Sequence, residues 1–473
     1  MGLLSMQPEP FFKIPIYDEW LVHAPLHELN ALLTSDDLDK IRSNSIHDDK
    51  ELTSFRNLLA GSTKHNPTTK KGEIDPRFLV FVTTRGCNIK CVYCHFDGPT
   101  APHNSLEMNK CIKTIAWMVE TLERNGHKEL PIHFFGGEPL TTFALVQSVI
   151  DYANTRCQGT QIIPRFIATT NGVLSERRAE WIGEHLDQII LSLDGPEYTH
   201  NKNRPIRSDL GSFAATARTA DILCEKNIDL SFRGCITSET VQQMGEMAEW
   251  MTHRWHPSSI KFEPLTVNSL TISAGLEPPN PFDFAINWFQ ARDAVARHGV
   301  NISYTPVNPG EPRLTSCLVG NDAVVVNPDG KIQACYLQPK DWEKHGMNLN
   351  LGEVSDEQGV KIDHVKVDVV RNMVKRKDRC SKCFCRWSCA GGCHVTHTYQ
   401  GASSEYDDFC IGTRIISACL ILEAMGCRPL VKQLLTDRAA LERIALQTTD
   451  HLDVGSMRDI EGVKMMDEER NTG

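Results

Sequence analysis

The stretch Phe78-Leu-Val-Phe-Val82, followed closely by Cys87-Asn-Ile-Lys-Cys91-Val-Tyr-Cys94, decides the fold. An unbroken apolar run of this length, rich in Val and Phe, reads as a buried strand. The C-x3-C-x2-C arrangement behind it puts three thiols within eight residues, which ordinary core packing explains poorly. Thiolates so spaced hold either a zinc ion or three irons of a cubane cluster, and spacing alone leaves both open. In the second case the fourth iron has no protein ligand and is available for chemistry, as a catalytic zinc keeps one position free.

Composition bounds what surrounds this loop. At 473 residues the chain can bury two or three cores, and 41% hydrophobic with 23% charged residues is ordinary for a soluble globular protein. A net charge of -10 and a pI near 6.0 argue against a nucleic-acid binder. No run of about 18 apolar residues is present, so no membrane span is expected. The first residues, Met-Gly-Leu-Leu-Ser-Met-Gln-Pro-Glu-Pro, lack the basic region and apolar core of a signal peptide. A cytoplasmic location is therefore expected, where the 17 cysteines would stay reduced and metal binding explains them better than disulfides.

Residues 1–75 carry β-like runs at Phe11–Ile16 and Glu19–His23, a helix around Ser35–Arg42, and a polar linker, Gly61–Gly72. This segment reads as a small α+β unit, either peptide-recognising or a structural lead-in. From Phe78 onward strands and amphipathic helices alternate. Strands are expected at Phe78–Thr83, Ile132–Phe135, Pro164–Thr169, Gln188–Leu193, Ile228–Ile236 and Ser259–Glu263, with helices near 107–125, 140–155, 175–185, 211–226 and 238–253. Such alternation gives right-handed crossovers and a parallel sheet. Six units are too few for an eight-fold barrel, so 76–300 is expected to form an open, partial (β/α)6 TIM-type barrel. Its loops would then bring Cys87, Cys91 and Cys94, Gly136-Gly-Glu-Pro139, Thr170-Asn-Gly172, Ser192-Leu-Asp-Gly-Pro196 and Glu263-Pro264 to one mouth.

With Tyr93 before the last cysteine of the loop, the chain resembles the radical S-adenosylmethionine (SAM) enzymes. The resemblance implies a [4Fe–4S] cluster on Cys87, Cys91 and Cys94, whose open iron binds SAM and whose electron cleaves it to a 5'-deoxyadenosyl radical. It assigns Gly136, Gly137, Glu138 and Pro139 to the SAM amino group. It also assigns Ser192 and Arg204 to the carboxylate and ribose, with Asn171 and Glu263 as further contacts. From the residues alone, Gly136-Gly137 is a turn that lets backbone approach a ligand, Asn203-Arg204 reads equally as a solvated loop, and Asn171 suits the turn before Gly172. Asp194, in an Asp-Gly-Pro turn, reads as a turn residue ahead of a general base. Cys235 faces either the barrel interior or the helices.

A second cysteine-dense region covers 301–415. Cys317 precedes a hairpin, Val324–Val326 and Lys331–Ala334, turning at Asn327-Pro-Asp-Gly330, with Cys335 behind it. Cys380-x2-Cys383-x5-Cys389-x3-Cys393 and a lone Cys410 follow. Several agreeing spacings resemble the SPASM extension of radical SAM proteins, which carries two auxiliary [4Fe–4S] clusters. The resemblance implies Cys380, Cys383, Cys389 and Cys410 as the outer set and Cys317, Cys335 and Cys393 as the inner. The inner set then has an open iron or takes another ligand, Cys385 being the nearest unassigned cysteine. Zinc is the structural alternative. Cys111, Cys157, Cys224, Cys419 and Cys427 read as core residues, and His394 and His397 as packing or cluster-adjacent groups. Residues 416–473 complete the chain, Ile411–Gln447 reading as two helices broken near Gly426-Cys-Arg-Pro429 before a charged, disordered tail.

The expected activity is hydrogen abstraction from a peptide or protein side chain, most simply in crosslinking of a ribosomally made peptide. A flavodoxin- or ferredoxin-type electron donor is implied. Formylglycine formation in sulfatases is the alternative, and a non-catalytic metal-binding or redox-sensing scaffold the alternative of another class.

Overall fold

The computed structural model describes residues 11–43, 45–46, 49–65, 67–96, 104–207, 210–226, 228–308, 310–397, 406–447 and 451–452. The expected C-terminal tail beyond 452 lies outside them. The chain begins with antiparallel strands β1 (Phe11–Ile16), β2 (Glu19–Ala24) and β3 (Leu29–Thr34). The third was not expected: Leu29-Asn-Ala-Leu-Leu has little β-branching, and pairing with β2 makes it a strand. A helix at Lys50–Ala60 was also missed, although Asp49 caps it by accepting from the Glu51 and Leu52 N–H groups.

All six expected barrel strands are present and parallel, neighbours in chain order: β4 (Leu79–Thr84), β5 (Glu129–Gly136), β6 (Ile163–Thr170), β7 (Gln188–Ser192), β8 (Asp229–Ile236) and β9 (Ser259–Pro264). Helices Met108–Arg124, Phe143–Cys157, Glu176–His185, Phe213–Glu225 and Met244–Trp255 fall between them. The sheet extends further than six strands. Short β10 (Asn301–Ser303) pairs parallel with β9, and β11 (Val324–Val326) pairs parallel with β4. Through β11 the sheet continues into antiparallel β12 (Lys331–Gln333), β13 (Asn350–Ser355) and β14 (Gly359–Ile362). The expected hairpin thus lies edge to edge with the first barrel strand. At the far end β15 (His451–Leu452) pairs with β1.

Side-chain alternation gives the sheet two chemically distinct faces. Leu79, Phe81, Phe134, Leu191, Phe232, Ile260 and Phe262 are fully buried in the core cluster that includes the helices. The opposite face carries Phe135, Ser192, Arg233, Cys235 and Glu263, all lining an internal cavity. Cys235 therefore faces the interior.

Two expectations need correction. The C-terminal segment forms three helices, Asp408–Ala424, Arg428–Leu434 and Arg438–Leu446, because Asp437 caps a new helix through the Ala440 N–H at 3.1 Å. Cys111, Cys157 and Cys419 are buried, but Cys224 is exposed and its thiol donates to the Trp255 carbonyl at 3.0 Å. The polar linker is anchored at its end. Arg371 donates to the carbonyls of Gly72 and Glu73, each at 3.0 Å, while paired with buried Asp322.

Candidate active site

The cysteine loop leaves β4 and is held from two sides. Lys90 and Val92 N–H donate to the Pro205 and Asn203 carbonyls at 2.7 and 3.0 Å, while Gly137 and Glu138 N–H donate to the Thr84 and Gly86 carbonyls, both at 2.9 Å. This second contact explains the two glycines. A Cβ at Gly136 would lie 2.2 Å from the Thr84 carbonyl oxygen, and one at Gly137 would lie 2.2 Å from that of Gly86. The close approach they permit is to the cysteine loop's own backbone, a different reason from the ligand approach expected from sequence. Gly136 also has φ of 150°, outside the range of other residues.

Glu138 is buried at the end of β5, accepting from Thr170 Oγ1 and Asn171 N–H at 2.8 Å and from Leu140 N–H at 3.1 Å. Burial nevertheless pushes its carboxyl up to about 7, the hydrogen bonds offsetting only part of the desolvation. Pro139 starts the single 3-10 turn that follows and is buried. Asn171 fills the turn role read from the sequence. Its Oδ1 closes the turn on Val173 N–H at 2.8 Å, and its Nδ2 lies 3.7 Å from Cys87 Sγ.

Asp194 is more than a turn residue. It is fully buried, accepting from Tyr93 Oη at 2.5 Å, Cys235 N–H at 3.1 Å and Asn203 Nδ2 at 3.3 Å, and it forms an ion pair with Arg204 at 3.1 Å. Burial alone would raise its pKa, but Arg204, His200 and the Tyr93 hydrogen bond hold the carboxyl below the usual range. Arg204 is accordingly no solvated loop residue. Its guanidinium lies 5.4 Å over the Tyr93 ring, with Nη1 3.9 Å from Cys91 Sγ. The sequence signal for this network was an acid and an arginine in loops around one mouth, which a turn preference for Asp194 masked.

Cys87, Cys91, Cys94, Tyr93, Gly136, Gly137, Glu138, Asn171, Ser192, Arg204 and Glu263 all line one cavity of about 450 Å³. So do Cys317, Cys335 and Cys393 from the second cysteine region. Part of the wall between the two sets is aromatic: Phe135 stacks on Tyr336 with centroids 4.5 Å apart and meets Phe96 at 5.5 Å. Glu263 accepts from Thr305 Oγ1 at 2.6 Å. Cys380, Cys383, Cys389 and Cys410 gather in a separate small pocket with Cys385, His397 and Arg414. Cys385 therefore stands beside Cys383, away from the inner set it was a candidate to complete. Arg414, not singled out from sequence, donates to Cys383 Sγ at 3.3 Å and to the Ile444 and Gln447 carbonyls at 3.0 and 2.8 Å.

Ligands on one zinc at about 2.3 Å must lie within roughly 4.6 Å of one another. Among the described residues, only His397, Asp407 and Cys410 converge closely enough for a single ion, and none of the cysteine sets does. Burial pushes the thiols of Cys87, Cys91 and Cys389 up to about 12, so their thiolate forms depend on bound metal.

Residues 81–251 match the radical SAM superfamily. This part of the chain is a radical SAM domain, and the chain is similar to enzymes that modify peptides or proteins. It is 23% identical over 373 residues to a cysteine-type anaerobic sulfatase-maturating enzyme of Clostridium perfringens, covering 70% of this chain and 92% of that one. To the antilisterial bacteriocin subtilosin biosynthesis protein AlbA of Bacillus subtilis it is 21% identical over 306 residues, covering 59% and 60% respectively. Native anSMEcpe, solved with bound AdoMet and Cp18Cys peptide, superposes with a TM-score of 0.54 at 18% identity, covering 76% of this chain and 99% of that structure. This is a likeness of fold. A radical SAM domain implies a [4Fe–4S] cluster and SAM. No helix among the described residues is long and apolar enough to cross a membrane.

Proposed function

We propose that this radical SAM enzyme modifies a ribosomally made peptide by abstracting hydrogen from a side chain, with crosslinking as the outcome. One observation carries the reading: the cavity that Cys87, Cys91, Cys94 and Glu138 line at one part is also lined by Cys317, Cys335 and Cys393. A peptide side chain in that space lies between a radical source and an electron acceptor. The maturases named above, one from sulfatase and one from bacteriocin chemistry, support a peptide or protein substrate.

In this reading Cys87, Cys91 and Cys94 hold the SAM-binding cluster, Cys317, Cys335 and Cys393 the inner auxiliary cluster, and Cys380, Cys383, Cys389 and Cys410 the outer one. Reduced by a flavodoxin- or ferredoxin-type donor, these groups with SAM supply a 5'-deoxyadenosyl radical and a sink for the electron left on the oxidised peptide. The chain's own residues prepare the space. Glu138 offers a buried carboxylate to the SAM ammonium, which would favour its ionised form. Asn171 and Arg204 direct N–H groups toward the Cys87 and Cys91 sulfurs, and Asp194 fixes Arg204 and Tyr93. Ser192 and Glu263 face the same cavity as polar contacts, and the Phe135–Tyr336 stack excludes water.

The test is anaerobic reconstitution with analysis of iron, sulfide and zinc, then coexpression with short neighbouring reading frames and peptide mass spectrometry. About twelve irons, 5'-deoxyadenosine under reduction, and a peptide lighter by two hydrogens at linked side chains are expected. Absence of deoxyadenosine sinks the reading. Formylglycine formation, favoured by the 92% coverage of the sulfatase-maturating relative, would instead give an aldehyde at one Cys or Ser.

A further inference from the structure

Among the described residues, two cations on the inner face of the sheet, exposed Arg233 and half-buried Lys261, have no counter-ion. Arg233 on β8 lines the central cavity, and its register partner on β9 is Lys261. Parallel register neighbours project to the same side of a sheet. Lys261 alternates with Ile260 and Phe262, which are fully buried, so it shares the face of Arg233 and Glu263. On the other flank Arg233 is opposite Ser192 of β7. Neither cation makes a side-chain hydrogen bond or ion pair among the described residues. The nearest carboxylate on this face, Glu263, is opposite Cys235 and accepts from Thr305. Like charges placed directly opposite on neighbouring strands destabilise a sheet, and an anion seated between them relieves that repulsion.

We propose that Arg233 and Lys261 form a carboxylate-binding subsite for the peptide, recognising an acidic side chain or chain terminus near the residue that is modified. The inference rests on the peptide-modifying reading above. Position identifies the ligand's source. Arg233 lines the same cavity as Tyr336, Phe135 and Cys335. Glu138 and Asn171, which face the cysteine loop, follow the ends of β5 and β6, across the cavity mouth from β8 and β9. A guanidinium beside an ammonium suits a carboxylate, with Arg233 supplying the paired N–H donors. The chain as a whole repels acidic peptides, with a net charge of -10, so any acidic preference must arise locally.

The test presents the reconstituted enzyme, immobilised without oxygen, with three peptide pools that differ only in carrying Asp/Glu, Asn/Gln or Lys/Arg at the same positions. Retained peptides are quantified by mass spectrometry. Wild type is expected to retain the acidic pool about tenfold over the amide pool, and Arg233→Glu/Lys261→Glu to prefer the basic pool. Iron content and thermal midpoint report whether the double variant folds. Arg233→Gln, which keeps a polar side chain but removes the charge, tests the same point separately and should abolish the acidic preference. Equal retention of acidic and amide pools by wild type, or a preference that survives Arg233→Gln, overturns the subsite. Saturating SAM should leave acidic retention unchanged; displacement by SAM would assign the cations to SAM's own carboxylate and overturn the peptide assignment. Deoxyadenosine release is read on the same preparation. Its absence with acidic retention intact refutes the radical reading and leaves the subsite standing.

Discussion

Replacing Gly137 by alanine separates two reasons for a glycine at this position. The new Cβ would sit 2.2 Å from the Gly86 carbonyl oxygen and 2.4 Å from that of Arg85. Both obstacles are backbone, and both belong to the turn that leads into Cys87. Relief requires the cysteine loop to move by roughly 1 Å, against hydrogen bonds of 2.9 Å from Gly137 and Glu138 N–H to Thr84 and Gly86. Overpacking of this kind costs about 1–3 kcal/mol, and the lack of any yielding side chain puts Gly137→Ala at the upper end. A control is Gly245→Ala, in the helix Met244–Trp255 with nothing within 4 Å of its Cβ position. It should stabilise by about 0.5–1 kcal/mol. Urea midpoints of the metal-free chain, with iron retained after reconstitution, measure both effects. Gly137→Ala should lower the midpoint and the iron content together. An unchanged midpoint with lost SAM binding would refute the loop-packing reason and make the glycine a ligand-approach device.

Asp194→Asn leaves the Arg204 guanidinium buried without its anion and should cost about 3–5 kcal/mol in urea unfolding, far more than Tyr93→Phe, which removes only one donor. Cys389→Ser should lose about four irons on reconstitution, while Cys385→Ser should keep them; equal losses would redraw the outer set. Acid sensitivity should centre partly on Asp75, which accepts from Lys70 and Asn125 at 2.8 Å and bonds His127 at 2.7 Å. Burial opposes its ionisation, but these partners prevail and hold its pKa below the usual range, so its stabilisation is present above about pH 4 and fades as pH falls below that. The stability difference between wild type and Asp75→Asn should therefore shrink between about pH 6 and about pH 3; a difference that grows on acidification would contradict the sign.

The barrel was legible because its strands alternate with helices of strong periodicity. The helix Met108–Arg124, for example, buries Cys111, Ile115, Met118, Val119 and Leu122 on one side. The three-residue β10 carries too few residues for a pattern and only pairing with β9 defines it, while β11 was legible as a hairpin strand but its pairing with β4 was not. Cysteine spacing singled out residues that the fold gathers around two pockets. What spacing could not convey was environment. Asp194 looks like any Asp-Gly turn until Tyr93, Asn203, Arg204 and the Cys235 N–H converge on it from distant segments. Arg233 reads as an ordinary charge in a strand until the register puts Lys261 next to it.

The pairing of β15 with β1 has a consequence for biosynthesis. Phe11 and Phe12 are made about 440 residues ahead of their partners Leu452 and His451. At typical synthesis rates the outer edge of β1 waits on the order of half a minute to a minute and a half before it is covered. During that interval a strand with exposed backbone donors is a template for wrong partners, among them β1 of neighbouring nascent chains on the same messenger. Slower translation of the last helices would lengthen that exposure without changing a single contact in the finished protein.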